Sequence, residues 1–212
     1  MLAVIMTDVA VPPDTLQTML RKAVQRSFNC ISVEGHTSTS DSVLCLANGA
    51  AHQEELSGAD LETFETLLGE ACADLAKAIA NDAEGIKHLI TLDVEGLADE
   101  ADARQVAKTV AESPLVKTAV FGADPNWGRI VSAAGYAGVE LAEPDMSLWM
   151  EDVLLYDKGV PQEYDYAALH ERLKTNHDVY IRLVCGTGPG NCRFWTCDLT
   201  YEYIRLNAEY TT

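Results

Sequence analysis

An α/β or α+β fold is predicted by three features of this 212-residue sequence. Strand-period and helix-period segments interleave along the whole chain. Apolar residues recur at helical spacing over 59–81, whereas Ile90, Leu92 and Val94 alternate with Thr91, Asp93 and Glu95 at the strand period. Hydrophobic residues make up 48% and charged residues 23%, a composition that buries a core and does not leave a chain disordered. The length suits one large domain or two small lobes.

In order, Met1-Leu-Ala-Val-Ile-Met6 enters a strand with no polar leader. An initiator methionine or a residue beside a cleaved bond would each account for that opening. Pro13 and Asp14 open a helix with Asp14 as N-cap, and Leu16, Met19, Leu20, Ala23 and Val24 form its inner face. Residues 31–33 read as a short strand. The loop Glu34-Gly-His-Thr-Ser-Thr-Ser-Asp41 and the apolar run 43–47 follow. A long helix spans 59–81, with Leu61, Phe64, Leu67, Leu68, Ala71, Leu75 and Ile79 as its buried stripe and Glu62, Glu65 and Glu70 solvated. Asp82-Ala-Glu-Gly85 is a turn. A helix over 102–112 is stopped by Ser113-Pro114, residues 116–121 read as a strand, and Asp124-Pro125 starts the next helix with proline in its favoured first position. Strands near 147–150, 152–156, 179–185 and 192–198 and helices near 164–174 and 200–206 complete the chain. Gly186-Thr-Gly-Pro-Gly190 lacks the Lys-Ser/Thr of a P-loop and reads as a hairpin turn between two strands. The apolar ending, with Tyr203, Ile204, Leu206 and Tyr210, reads as docked on the protein, either structurally or to deliver Asn207 and the last hydroxyl to a pocket.

Fifteen basic against 33 acidic side chains leave a net charge of −18. Such a surface repels phosphate backbones and anionic lipid, so neither nucleic acid nor a membrane is an expected partner. No apolar run reaches the ~18 residues of a membrane span, and the N-terminus lacks the basic region of a signal peptide. The six cysteines include no CxxC pair and no zinc spacing, so no metal is expected. They read as reduced structural thiols of a cytoplasmic protein, with Cys45 and Cys72 as small buried hydrophobes.

Two local clusters invite a catalytic reading. His36, the hydroxyls of 37–40 and Asp41 offer the residue types of a Ser/His/Asp triad, but neighbours on one loop rarely converge, and turn capping is the preferred reading. Glu84 in its glycine-flanked turn is a ligand candidate or a solvated carboxylate.

Three stretches carry a resemblance: the opening Met1-Leu-Ala; Ser113-Pro-Leu-Val-Lys-Thr-Ala119 leading into Asp124-Pro-Asn-Trp-Gly-Arg-Ile130; and Cys197-Asp-Leu-Thr-Tyr201 with the ending Leu206-Asn-Ala-Glu-Tyr-Thr-Thr212. Phe28-Asn29, Thr37-Ser-Thr39 with Asp41, and Ala47-Asn-Gly49 add to it. The sequence resembles, from first residue to last, the C-terminal (β) chain of the ornithine acetyltransferase (glutamate N-acetyltransferase) family. The resemblance implies an α/β sandwich with the logic of N-terminal-nucleophile enzymes, a precursor that cuts itself before a threonine, and an α chain that completes the active site, commonly as α2β2. The freed threonine, expected immediately before Met1, takes an acetyl group from N2-acetylornithine and passes it to glutamate in arginine biosynthesis. Some members also use acetyl-CoA, and no bound cofactor is expected. By motif match Glu84, Asn207 and Thr212 are substrate ligands. The sequence departs from the family pattern at His36 and Ser40, where Asp and Asn are common, and at Lys87-His88, where Thr-Lys is common. This puts fine substrate preference in question. A self-cleaving amidase or peptidase, a paralogue in secondary metabolism and a partner chain without a nucleophile are the rival readings.

The chemistry is consistent with elementary principles. A threonine hydroxyl needs a base within hydrogen-bond reach. An α-amine, with pKa about 7.7–8.0, supplies one on the same residue. The oxyanion needs donors, which the family takes from the α chain.

Overall fold

The computed structural model describes residues 1–51 and 54–210. The chain divides into two compact units, Met1–Asn29 with His36–Lys77, and Cys30–Gly35 with Ala78 onward. The two-lobe option is the one adopted.

In the first unit, β1 (Leu2–Thr7) and β2 (Ser42–Ala47) form a two-stranded parallel sheet, Leu2 facing Ser42 and Thr7 facing Ala47. Helix α1 (Pro13–Gln25) buries Leu16, Met19, Leu20 and Ala23. Its N-cap is Pro12, with no side-chain bond, so Asp14 is not the cap. Asp14 lies in the first turn instead, where its charge suits the helix dipole. Helix α2 (Gly58–Asn81), whose last turn belongs to the second unit, buries a line at i, i+4 spacing, Leu68, Cys72, Ala76 and Ala80. Leu67 and Leu75, expected inside, are 56% and 43% exposed. Several apolar lines run along this helix, and only packing selects the one with small residues, which let neighbours approach closely. Glu65, expected to be solvated, is ion-paired to Lys22 Nζ at 2.7 Å. Cys72 is fully buried as expected, whereas Cys45 on β2 is only half-buried.

The second unit is built on a six-stranded sheet of order β6-β5-β4-β7-β3-β8. Its strands are β3 (Leu89–Leu97), β4 (Ser147–Met150), β5 (Val153–Asp157), β6 (Val160–Pro161), β7 (Asp178–Val184) and β8 (Gly190–Cys197). Only β3 and β7 are parallel; every other pairing is antiparallel. Ile90, Leu92, Val94, Ile181, Leu183 and Phe194 join one core with Val106 and Val110 of α3 (Glu100–Ala111) and Ile130 and Ala134 of α5 (Trp127–Gly135). Asp99 caps α3 by accepting from Ala101 N and Asp102 N. The expected strand at 31–33 is a single bridge, Ile31 to Trp195, along the outer edge of β8.

Three further local expectations are overturned. Residues 116–121 are not a strand but part of helix α4 (Pro114–Phe121). Ser113 accepts from Val116 N and Pro114 takes a first-turn position, so the pair that ends α3 also starts α4. An apolar run this short carries no periodicity that separates strand from helix. Helix α5 starts at Trp127, beyond Pro125, because Asn126 is the cap and accepts from Arg129 N at 3.0 Å.

The third concerns residues 186–190. β3 lies between β7 and β8, so these residues arch over its end and form no hairpin. Backbone meets backbone at that crossing. A Cβ on Gly96 would strike the Gly186 carbonyl, and a Cβ on Gly188 or Gly190 would strike the carbonyls of Leu97 or Asp99. The glycines that suggested a turn are required by the crossing.

Candidate functional site

Glu84 lies exposed in the turn that leads from α2 into β3. The following residue, Gly85, has φ +68°, and a Cβ there would stand 2.6 Å from Tyr203 N. The turn thus rests directly on the backbone of α7 (Tyr201–Glu209). Thr200 is the N-cap of α7: its hydroxyl accepts from Tyr203 N at 3.0 Å and donates to Gly85 O at 2.5 Å. Asn207 lies one turn beyond Tyr203 and donates from Nδ2 to Tyr203 O at 3.0 Å. The structure therefore brings two of the three expected ligands, Glu84 and Asn207, onto adjoining elements joined through Gly85, Thr200 and Tyr203. Thr212, the third, lies outside the described residues.

Tyr203, read from the sequence only as part of the apolar ending, stands at this junction. Burial raises its hydroxyl pKa, and the charges of Glu34, Cys197 and Glu84 raise it further. Below it lies a buried polar layer. The Lys117 ammonium, on a residue 3% exposed, donates to Thr196 Oγ1 at 3.0 Å and to Cys197 O. Burial lowers its pKa, against the opposing pull of Cys197, Asp198 and Glu34. His88 and Asp198, both buried, meet at 2.7 Å. Lys117 and His88 belong to stretches that could be read for packing or family pattern, but nothing local announces their burial.

Docking of the C-terminal end is borne out only in part over its described residues, with Tyr203 and Leu206 half-buried. Helix α7 has no buried residue, and Tyr201, Ile204 and Tyr210 are 81%, 56% and 75% exposed. Its anchors are the Thr200 cap and an edge-on contact of Tyr201 with Phe121 at 5.3 Å.

Within the first unit, a groove of about 320 Å³ is lined by Met1, Arg21, Val24, Asn29, Asp41 and Val43 among others. The Met1 nitrogen lies 2.7 Å from Asp41 Oδ1. Ser38 accepts from Ser40 N, and Ser42 donates to Ser40 O. Capping, and not a triad, is the role recorded for these hydroxyls.

A second groove, of about 520 Å³, lies in the second unit beside the glycine crossing. Its charged groups satisfy one another. Arg193 is bidentate to Asp93 at 2.7 and 2.6 Å, and Arg182 is bidentate to Glu95 at 2.9 and 2.7 Å. Burial pushes the Cys185 thiol up to about 12 and the Cys72 thiol up to about 11, which suits structural thiols and not nucleophiles. Among the described residues no group of three His, Cys, Asp or Glu side chains is placed to hold a metal, and no helix is long and apolar enough to cross a membrane.

The fold is that of a mixed α/β chain, with helices packed against a largely antiparallel sheet. A solved chain from Bacillus halodurans, titled arginine biosynthesis bifunctional protein argJ, superposes with a TM-score of 0.95 at 39% identity, covering 99% of this chain and 100% of that one. The ArgJ family model matches residues 1–212, and the chain belongs to the ArgJ family. Proteins named arginine biosynthesis bifunctional protein ArgJ are 46% identical in Nostoc sp. and 44% identical in Rhodopirellula baltica. Each aligns to 100% of this chain but to 54% and 52% of its own length. A chloroplastic relative from Populus trichocarpa is 42% identical, over 46% of its length. The chain thus spans about half the length of the curated relatives it matches, and the resemblance read from the sequence holds at the level of the family.

Proposed function

We propose that this chain is the β chain of a self-cleaved acetyltransferase that moves the acetyl group of N2-acetylornithine to glutamate through an acetyl-threonine intermediate. Acetyl-CoA would be a second donor, in keeping with the word bifunctional in the relatives' names. The observation that carries the reading is the match to ArgJ proteins along the whole chain, with a solved chain covered to 100% among them. The junction of Glu84 with α7 supports it. Glu84 would receive the substrate ammonium, Asn207 would offer donor and acceptor to the amino-acid end, and Thr212 would add a hydroxyl. The nucleophile would be the threonine before Met1, and the oxyanion donors would come from the α chain. The compartment would be the cytoplasm.

The single experiment is Glu84→Gln in the two-chain enzyme. A charged hydrogen bond to the substrate ammonium contributes roughly 1.5–3 kcal/mol. KM for N2-acetylornithine should therefore rise about tenfold or more, since 1.4 kcal/mol is a factor of ten, with thermal stability unchanged. An unaltered KM returns Glu84 to the solvent.

The first unit supports the need for a partner chain. Parallel sheets are normally covered on both faces, yet the outward positions of β1 and β2 carry Leu2, Val4, Met6, Leu44 and Leu46, exposed by 47–78%. The α chain, as part of an α2β2 assembly, would cover this stripe. Leu2→Ser with Met6→Ser removes two side chains whose burial contributes roughly 1.5–3 kcal/mol each. The pair of changes should weaken α-chain retention at least about 10²-fold, read as loss of co-purification on dilution.

A further inference from the structure

We propose that the buried His88–Asp198 pair positions the Glu84 turn against α7, so that both are positioning residues for substrate binding. The inference rests on the reading of Glu84 as a substrate ligand. Asp198 lies just past the end of β8 and His88 just before the start of β3. Their residues are 2% and 0% exposed. Asp198 Oδ2 meets His88 Nδ1 at 2.7 Å, while Oδ1 accepts from the backbone N–H of Lys87 at 2.9 Å and of His88 at 3.1 Å. Asp198 N in turn donates to His88 O at 3.1 Å. Residues 87–88 are thus tied to residue 198 by four contacts.

Two residues further on, Thr200 ties Gly85 O to the first turn of α7. Gly85 has no room for a Cβ against Tyr203 N. Residues 85–88 and 198–203 therefore form one interlocked body, with Glu84 at one rim and Asn207 a helical turn away. A buried carboxylate must be paired and hydrogen-bonded to be tolerated, and here the whole pairing is directed at the two segments that carry the ligands. The His88 ring engages only through Nδ1. Its Nε2 is buried with no hydrogen-bond partner among the described residues, as suits a strut and not a proton carrier. The positions where Lys87-His88 departs from the family pattern thus follow directly on the Glu84 turn and are tied to Asp198.

The test measures initial rates against N2-acetylornithine in the two-chain enzyme. His88→Leu removes the donor to Asp198 Oδ2. It should raise KM about tenfold, while kcat changes by less than about threefold. Asn can place its amide nitrogen where Nδ1 stands, so His88→Asn should keep KM within about twofold of the parent. Glu84→Gln combined with His88→Leu should be no worse in KM than Glu84→Gln alone, because both act through one contact. If His88→Leu does not fold, Thr200→Val cuts the same linkage at Gly85 O and should raise KM alone. An unchanged KM in folded His88→Leu or Thr200→Val, with Glu84→Gln impaired, overturns this inference and spares the Glu84 reading. An unchanged KM in Glu84→Gln overturns both.

Discussion

Gly188→Ala is expected to cost about 3 kcal/mol and to lower the thermal midpoint by roughly 6–12 °C. The loop over residues 186–190 crosses the end of β3 so closely that a Cβ at Gly188 would lie on the Leu97 carbonyl, with Ala98 N at 3.2 Å. The obstacle is main chain held in a sheet, which cannot turn aside as a flexible side chain could. Relief requires lifting the loop and breaking contacts such as Gly188 N to Gly96 O, 3.0 Å. The control is Gly69→Ala. Gly69 is inside α2 with nothing within 4 Å of a Cβ, and alanine there should stabilise by about 0.5–1 kcal/mol through helix propensity. Scanning calorimetry of the two variants should give shifts of opposite sign. Equal and small shifts would mean that the crossing is looser than described.

Deleting residues 207–212 is expected to lower kcat/KM for N2-acetylornithine on the order of 10²-fold while leaving the thermal midpoint nearly unchanged. Residues 207–210 are exposed, and α7 buries no side chain along its length. Its anchors, the Thr200 cap and the Tyr201–Phe121 contact, lie at the other end and survive the deletion. Large stability losses come from cavities, unpaired buried groups or lost caps; among the described residues the deletion opens no cavity and removes only exposed contacts, such as the Tyr210 N–Leu206 O cap and the Arg205–Glu209 pair. Activity should nonetheless fall, because the deletion removes Asn207 and the final hydroxyl, both proposed to hold substrate. Steady-state kinetics and calorimetry on the same preparation separate the outcomes. A truncated enzyme with full kcat/KM would make the C-terminal end a structural extension.

Membership of the ArgJ family was legible in the sequence itself, because contiguous blocks such as Asp124-Pro-Asn-Trp-Gly-Arg and the ending Leu206-Asn-Ala-Glu-Tyr report on identity without any need for packing. The alternation of Ile90, Leu92 and Val94 and the run over 59–81 likewise placed β3 and α2, since each periodicity repeats long enough to exclude the other. Short or uniformly apolar segments were not legible. Residues 116–121 fit strand or helix equally, and the Ser113 cap decided for α4. In β1 both faces are apolar, so alternation could not tell the half-buried Ala3 and Ile5 from the exposed Leu2, Val4 and Met6.

For the site, the family motifs marked Glu84 and Asn207 as candidate ligands, but not why the segments that carry them adjoin. That depends on Gly85 meeting Tyr203, on Thr200 reaching back to Gly85, and on Asp198 holding His88, contacts that join residues more than a hundred positions apart. The sequence determined what each local segment prefers and which family it belongs to. Only the tertiary structure decided that β3 lies between β7 and β8, that the glycines at 186–190 serve a crossing, and that Lys117, His88 and Asp198 are buried. Strand order, close approach and burial are settled by free-energy terms between distant residues, and no local pattern records them.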